Sequence, residues 1–133
     1  MLIKQYDVYN ESEILNLYRS VGWTAYTQDP VALQKGFQNS LLILAAYEDT
    51  QLVGLVRLVG DGATIIFIQD LLVHPDWQRK GIGSKLLQEV FARYQEVRQI
   101  ELLTDETDTS VRFYHANGMR KASEIGCCVM IKT

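Results

Sequence analysis

A chain of 133 residues, 47% of them hydrophobic, can hold one compact core but not two ordinary domains, so a single domain over residues 1–133 is expected. The formal net charge of -3 and a pI near 5.3 leave no excess of Lys and Arg with which to grip a nucleic-acid backbone, and no nucleic-acid partner is expected. The two cysteines, Cys127 and Cys128, are adjacent and suit neither a disulfide framework nor a Cys-x-x-Cys metal site, and no apolar run approaches the roughly 20 residues of a membrane span. A reduced, cytoplasmic protein with no membrane partner follows as an expectation, as no charged and then apolar leader opens the sequence.

Residues 2–8 alternate apolar and polar, the period of a half-buried strand. Asn10 with Glu13 three residues on reads as a capping box, followed by Ile14, Leu17, Tyr18 and Val21 at helical spacing up to Gly22. Trp23 and Tyr26 fall in a polar connector, GWTAYTQ, before Asp29 and Pro30 announce a second helix running to about Asn39. Residues 41–48 and 52–59 are apolar runs of strand length joined by Asp49, Thr50 and Gln51, which predicts an antiparallel hairpin. After the turn at Gly60, Asp61 and Gly62, residues 63–73 are rich in β-branched and aromatic side chains and form a third meander strand.

Residues 71–87, LLVHPDWQRKGIGSKLL, then pass from strand through a basic, glycine-containing loop into an amphipathic helix marked by Ile82, Leu86, Leu87, Val90 and Phe91. Gly81 and Gly83 let a ligand approach the backbone, and a helix start turns its first N–H groups and positive dipole end outward, a cradle for phosphate or pyrophosphate. Arg79 and Lys80 add formal charge. A short strand at residues 100–103, an acidic connector at 104–108 and a helix through Val111, Phe113 and Tyr114 to Asn117 and Gly118 come next. One or two last strands are expected around Gly126, within residues 119–132. The alternation predicts a mixed sheet flanked by helices.

The phosphate cradle is not a P-loop, because GIGSK has its glycines and lysine in the wrong order and spacing. Leu86 stands where a dinucleotide fingerprint needs its third glycine, and the loop follows antiparallel strands rather than opening a parallel sheet. A glycine-containing turn with a solvated basic face is the plain structural alternative.

VHPDWQRKGIGSKLL resembles motif A of the GNAT acetyltransferases, with Gln78, Gly81 and Gly83 at the patterned positions. FYHANGM at 113–119 resembles the family's later FYxxxGF stretch, with Met119 in place of the usual Phe. YRSVGW, together with an Asp at position 70, is similar to the plant and cyanobacterial arylalkylamine acetyltransferase branch.

The resemblance implies an α/β (α+β) fold whose mostly antiparallel sheet has two central parallel strands that splay apart. It also implies an enzyme that transfers the acetyl group of acetyl-CoA to a small-molecule primary amine in a ternary complex. The pantetheine arm would pair with the strand edge at Leu72 and Val73. The pyrophosphate would sit on N–H groups of Arg79, Lys80, Gly81, Ile82, Gly83 and Ser84, with Gln78 shaping the loop. Leu72 N–H would face the thioester carbonyl, where negative charge develops.

Tyr114 aligns with the tyrosine that protonates the leaving thiolate, although a helical Phe–Tyr pair also suits plain packing. Asp108 stands where the family often has Asn, and its carboxylate would be repelled by phosphate. Asp70, read as an isolated carboxylate, is the candidate base, with a water chain as the alternative. Tyr18, Trp23 and Tyr26 form a candidate aromatic wall for an arylalkylamine or a cation, with core packing the alternative for Tyr18. His74 and His115 show no ligand pattern, and no metal is assigned. A non-catalytic acyl-CoA-binding module and a protein acetyltransferase remain as alternatives, and a homodimer is left open.

Overall fold

The computed structural model describes all residues from Met1 to Thr133, and the chain divides into two compact units, Met1–Leu102 and Leu103–Thr133. The first unit is built on a five-stranded sheet. It comprises β1 (Leu2–Gln5), α1 (Glu11–Ser20), α2 (Thr24–Thr27), α3 (Pro30–Gln38), β2 (Leu42–Glu48), β3 (Gln51–Gly60), β4 (Ile65–Val73), α4 (Ile82–Arg93) and β5 (Gln99–Leu102). The strands lie in sequence order; β1 to β4 are antiparallel, and β4 and β5 are parallel.

β1 ends at Gln5, three residues earlier than the alternation at 2–8 predicts; Tyr6 N still donates to Ile43 O at 2.8 Å, and beyond it the chain turns to serve the next element. The Tyr6 ring enters the core, and its hydroxyl accepts from Asn10 N at 3.1 Å and donates to Glu13 Oε2 at 2.7 Å. Asn10 Oδ1 accepts from Glu13 N, so the expected capping box is present in modified form, its return half relayed through the Tyr6 phenol. Asp29 caps α3 by accepting from Ala32 N, with Pro30 in the first turn, as the sequence predicts. The supposed connector at Trp23 to Tyr26 is instead partly helical: Thr24–Thr27 make the single turn of α2.

One face of the sheet carries α1 and α3. Ile14, Leu17, Tyr18, Leu33 and Phe37 pack there on Ile43, Ala45, Leu55 and Leu72. The other face receives α4 across Gly54, where a Cβ would meet Ile82 Cγ2 at 3.0 Å and Leu86 Cδ1 at 3.3 Å. Gly54 is therefore the gap that lets the first turn of α4 lie close against β3.

The second unit contains α5 (Asp108–Ala116) and a 3₁₀ turn at Ala122–Ile125. Thr107 caps α5 by accepting from Ser110 N. The expected last strands do not form: residues 127–133 have no ladder partner, and Gly126, left-handed at φ 81°, closes the 3₁₀ turn with Cys127 N donating to Ala122 O. β-branched composition alone makes no strand without a neighbour to pair with.

Candidate active site

β4 carries the site because its two edges have different lengths of partner. Toward β3 it pairs as far as Val73, opposite Gly54, whereas toward β5 the pairing stops at Ile68 opposite Leu102. The edge of residues 69–73 facing away from β3 is thus left without a strand neighbour in the sheet. Val73 turns its main chain to that edge, as does Leu71 two residues before it, whereas Leu72, like His74 whose N donates to Val53 O at 2.8 Å, faces β3; the expectation of a free Leu72 N–H is corrected by this register. A register shift between Arg57 and Leu58 makes Gln69 a bulge. Burial passes from Ile66 and Ile68 on one face to Asp70 and Leu72 on the face of α1 and α3.

The chain leaves β4 through a 3₁₀ turn, Pro75–Trp77, and a loop tied back to the strand by Gln78 Nε2 donating to Val73 O at 3.0 Å. Arg79 and Gly81 both take left-handed backbone, at φ 64° and 82°. The first hydrogen bond of α4 is Lys85 N to Gly81 O, so the N–H groups of Ile82 and Gly83 precede the helical ladder, and Gly81 has no side chain to cap them. Left-handed backbone just before a helix start turns nearby N–H groups toward one side, an arrangement that suits an anion. Gln78, Arg79, Lys80 and Gly81 are exposed; the Ile82 side chain is buried, leaving only its main chain for a ligand; Ser84 lies in the first turn of the helix. Lys80 Nζ sits 4.7 Å from the centroid of the Trp77 ring.

Asp70 is not isolated. It is 2% exposed, and its Oδ2 accepts from Arg57 Nε and from Tyr18 OH, both at 2.7 Å, while its Oδ1 accepts from Tyr26 OH at 2.6 Å. The expectation of a lone carboxylate is corrected by its cross-strand partner: Arg57 stands directly opposite Asp70 in the β3–β4 register. Arg57 is buried as well. It donates to Ser40 Oγ, its guanidinium lies 5.4 Å from the Phe37 ring and 5.9 Å from that of Tyr26, and Gly36 leaves it room, since a Cβ there would stand 3.2 Å from its Nη1. Burial opposes the Arg57 charge, but Asp70 beside it outweighs that and raises the guanidinium above its ordinary value. Tyr18 is raised far above the ordinary phenol value, by burial first and by the Asp70 charge second; Tyr26 is raised by burial and by its bond to Asp70.

The aromatic residues do come together. The Tyr18 ring centroid lies 5.9 Å from that of Trp23 and 5.3 Å from that of Tyr26. Tyr18, however, has no exposed surface and cannot itself touch an acceptor; its place is beneath Asp70, and only Trp23 and Tyr26 of the three reach toward solvent. Arg57 and Gln69, whose Nε2 donates to the Tyr26 hydroxyl at 3.0 Å, were missed by sequence reasoning. A signal for the first existed: a lone cation in LVGLVRLVG and a lone anion in IIFIQDLLV, on two strands of one hairpin, can be buried together only as a pair.

A groove of about 330 Å³ lies beside the end of β4, lined by Glu13, Asn16, Leu17, Thr50, Gln51, Leu52 and His74. It does not include Asp70. No group of three or more His, Cys, Asp and Glu side chains is placed to hold a metal. In the second unit, Tyr114 is half-buried on α5, its phenol raised by burial, a shift opposed by a hydrogen bond with Thr104.

A GNAT acetyltransferase domain model matches residues 7–128, and the chain belongs to the GNAT acetyltransferase family. Among solved structures it is similar to a GNAT family acetyltransferase of Streptococcus pneumoniae TIGR4, 39% identical, with a TM-score of 0.90 over 99% of this chain and 96% of that one. AAC(6')-Iy in complex with the bisubstrate analogue CoA-S-monomethyl-acetylneamine shares the fold at 16% identity, with a TM-score of 0.76 over 99% of this chain and 97% of its own. The uncharacterised N-acetyltransferase ycf52 of Gracilaria tenuistipitata var. liui is 27% identical over 100 residues, 72% of this chain and 55% of the relative. The chain thus spans little more than half the length of that curated relative.

Proposed function

We propose that this protein is an acetyl-CoA-dependent N-acetyltransferase acting on a primary amine of a small molecule by direct attack in a ternary complex, with residues 1–133 working as one domain. The observation that carries the reading is the open β4 edge at residues 69–73, adjoining both the Arg79–Gly81 loop and the buried Asp70. Main-chain groups of Leu71 and Val73 satisfy the amides of the pantetheine arm as an added strand would. The pyrophosphate rests on the N–H groups of residues 79–84. The outward N–H of Leu71 stabilises the thioester oxygen as the amine attacks, and Tyr114 supplies the proton that the departing thiolate takes.

Trp23 and Tyr26 offer aromatic surface to the acceptor. Because Arg57 already neutralises Asp70, that surface suits an amine carried on an apolar or aryl body better than a polycation.

Thiol release from acetyl-CoA across a panel of amines tests the proposal. Amine-dependent release, with Tyr114→Phe slowed about 10²-fold at unchanged CoA affinity, is the expected result. Tight CoA binding by calorimetry with no amine turned over would replace the enzyme with a CoA-binding module. Turnover of peptide amines alone would move the acceptor from small molecules to proteins.

A further inference from the structure

Asp70 is the only carboxylate on the site face of β4, yet it has almost no surface, and an acceptor amine cannot reach it directly. Its one link to the outside runs through Tyr26. That phenol donates to Asp70 Oδ1 and accepts from the exposed Gln69 side chain, and its oxygen retains a second acceptor position. Asp70 immediately precedes Leu71 on β4, so the Tyr26–Asp70 pair sits about one residue, roughly 3.4 Å, along the strand from the proposed oxyanion N–H.

We infer that the Tyr26 hydroxyl is the group that takes the proton from the acceptor ammonium, passing its own proton to the buried Asp70, which Arg57 and Tyr18 hold in place. This rests on the N-acetyltransferase reading above. An N–H bond of the ammonium breaks as the Tyr26 oxygen gains that proton, and the Tyr26 O–H bond breaks as Asp70 Oδ1 gains the other. The amine becomes neutral, Tyr26 stays a phenol, and one positive charge passes from the ammonium to the Asp70–Arg57 pair. The amine then forms the C–N bond to the thioester carbon. Its second proton accounts for the thiol of CoA, and the proton on Asp70 returns to solvent through Tyr26. Burial and the Asp70 bond keep Tyr26 a phenol at neutral pH, which suits a conduit rather than a resident base.

The charged and titratable groups facing this pair are Tyr18 from α1 and Arg57 from β3, while α3 contributes Phe37 and the neighbouring Ser40 only a hydroxyl, on Arg57. No second acid competes for the proton there.

The test is the pH dependence of kcat/KM for Tyr26→Phe, Asp70→Asn and their double variant, with CoA affinity and thermal melting as folding controls. Tyr26→Phe keeps the ring and loses only the hydroxyl. Near neutral pH it should be slowed about 100-fold. That loss should shrink toward a few-fold as pH passes the acceptor amine's own pKa, where the proton is already gone. The double variant should be no slower than the slower single variant, because the two groups act in series. A Tyr26→Phe enzyme as fast as wild type near neutral pH, or one slowed equally at every pH, overturns the relay while leaving the N-acetyltransferase reading intact. A folded wild-type protein that turns over no amine overturns both.

Discussion

Arg57→Met probes the interaction on which the site depends. Methionine fills most of the volume of the arginine stem against Phe37, so lost packing is a small part of the effect. What is removed is the 2.7 Å bond to Asp70, between side chains 6% and 1% exposed, together with the Ser40 contact. Breaking a buried ion pair from one side costs about 3–5 kcal/mol, because the remaining charge stays buried without its partner. A domain with about 10 kcal/mol in hand, the middle of the usual range, remains folded after such a loss, with its melting temperature lower by roughly 12–20 °C.

Urea denaturation followed by circular dichroism measures the change, and Asp70→Asn supplies the internal control. Asparagine keeps one acceptor oxygen, enough for one of the Tyr18 and Tyr26 hydroxyls, and carries no charge, so adding it to Arg57→Met should recover about 1–2 kcal/mol, whereas adding it to wild type should destabilise. A cost below about 1 kcal/mol for Arg57→Met, or equal effects of Asp70→Asn in both backgrounds, would refute the view of Arg57 as the counter-charge that makes Asp70 tolerable.

Gly54→Val should destabilise the protein by about 1–2 kcal/mol, since crowding against Ile82 and Leu86 outweighs the gain in strand propensity, and should weaken CoA binding several-fold in calorimetry by pushing the start of α4 outward. Unchanged CoA affinity would uncouple that packing from the phosphate loop. Gly81→Ala meets no atom within 4 Å, so its cost of about 1 kcal/mol in denaturant unfolding would report the left-handed backbone alone. Tyr6, Tyr18, Tyr26 and Tyr47 all have phenols raised in the folded state, that of Tyr47 to about 12 by burial and Glu13. The unfolded chain therefore ionises first, near pH 10. The stability these groups contribute is complete below that pH and is lost as pH rises from 10 toward 12, which urea midpoints taken alongside tyrosinate absorbance would follow. A midpoint that stays level across that interval would contradict the burial of the phenols.

The sequence alone determined what depends on neighbours within a few positions. Asn10 and Asp29 bond to N–H groups three residues ahead, so their roles as caps are local, and the Gly81 loop followed by apolar residues at helical spacing marks the start of α4 without reference to the rest of the chain. The apolar runs of β2 and β3 were legible because a strand buried on both faces needs no alternation, and β4 by its β-branched and aromatic residues.

Tertiary structure decided the rest, because it depends on which distant groups meet. Asp70 reads as lone in its strand, but its partners come from 13, 44 and 52 residues away. The bulge at Gln69 that turns Asp70 toward α1 is a property of the β3–β4 register, not of either strand's composition. The apolar residues after Gly126 carry strand propensity, yet a strand exists only where a ladder partner is in place. Tyr18, Trp23 and Tyr26 look equivalent in sequence; folding buries Tyr18 beneath the carboxylate and leaves Tyr26 between that carboxylate and solvent, because only burial distinguishes a phenol that holds Asp70 from one that can also meet a ligand.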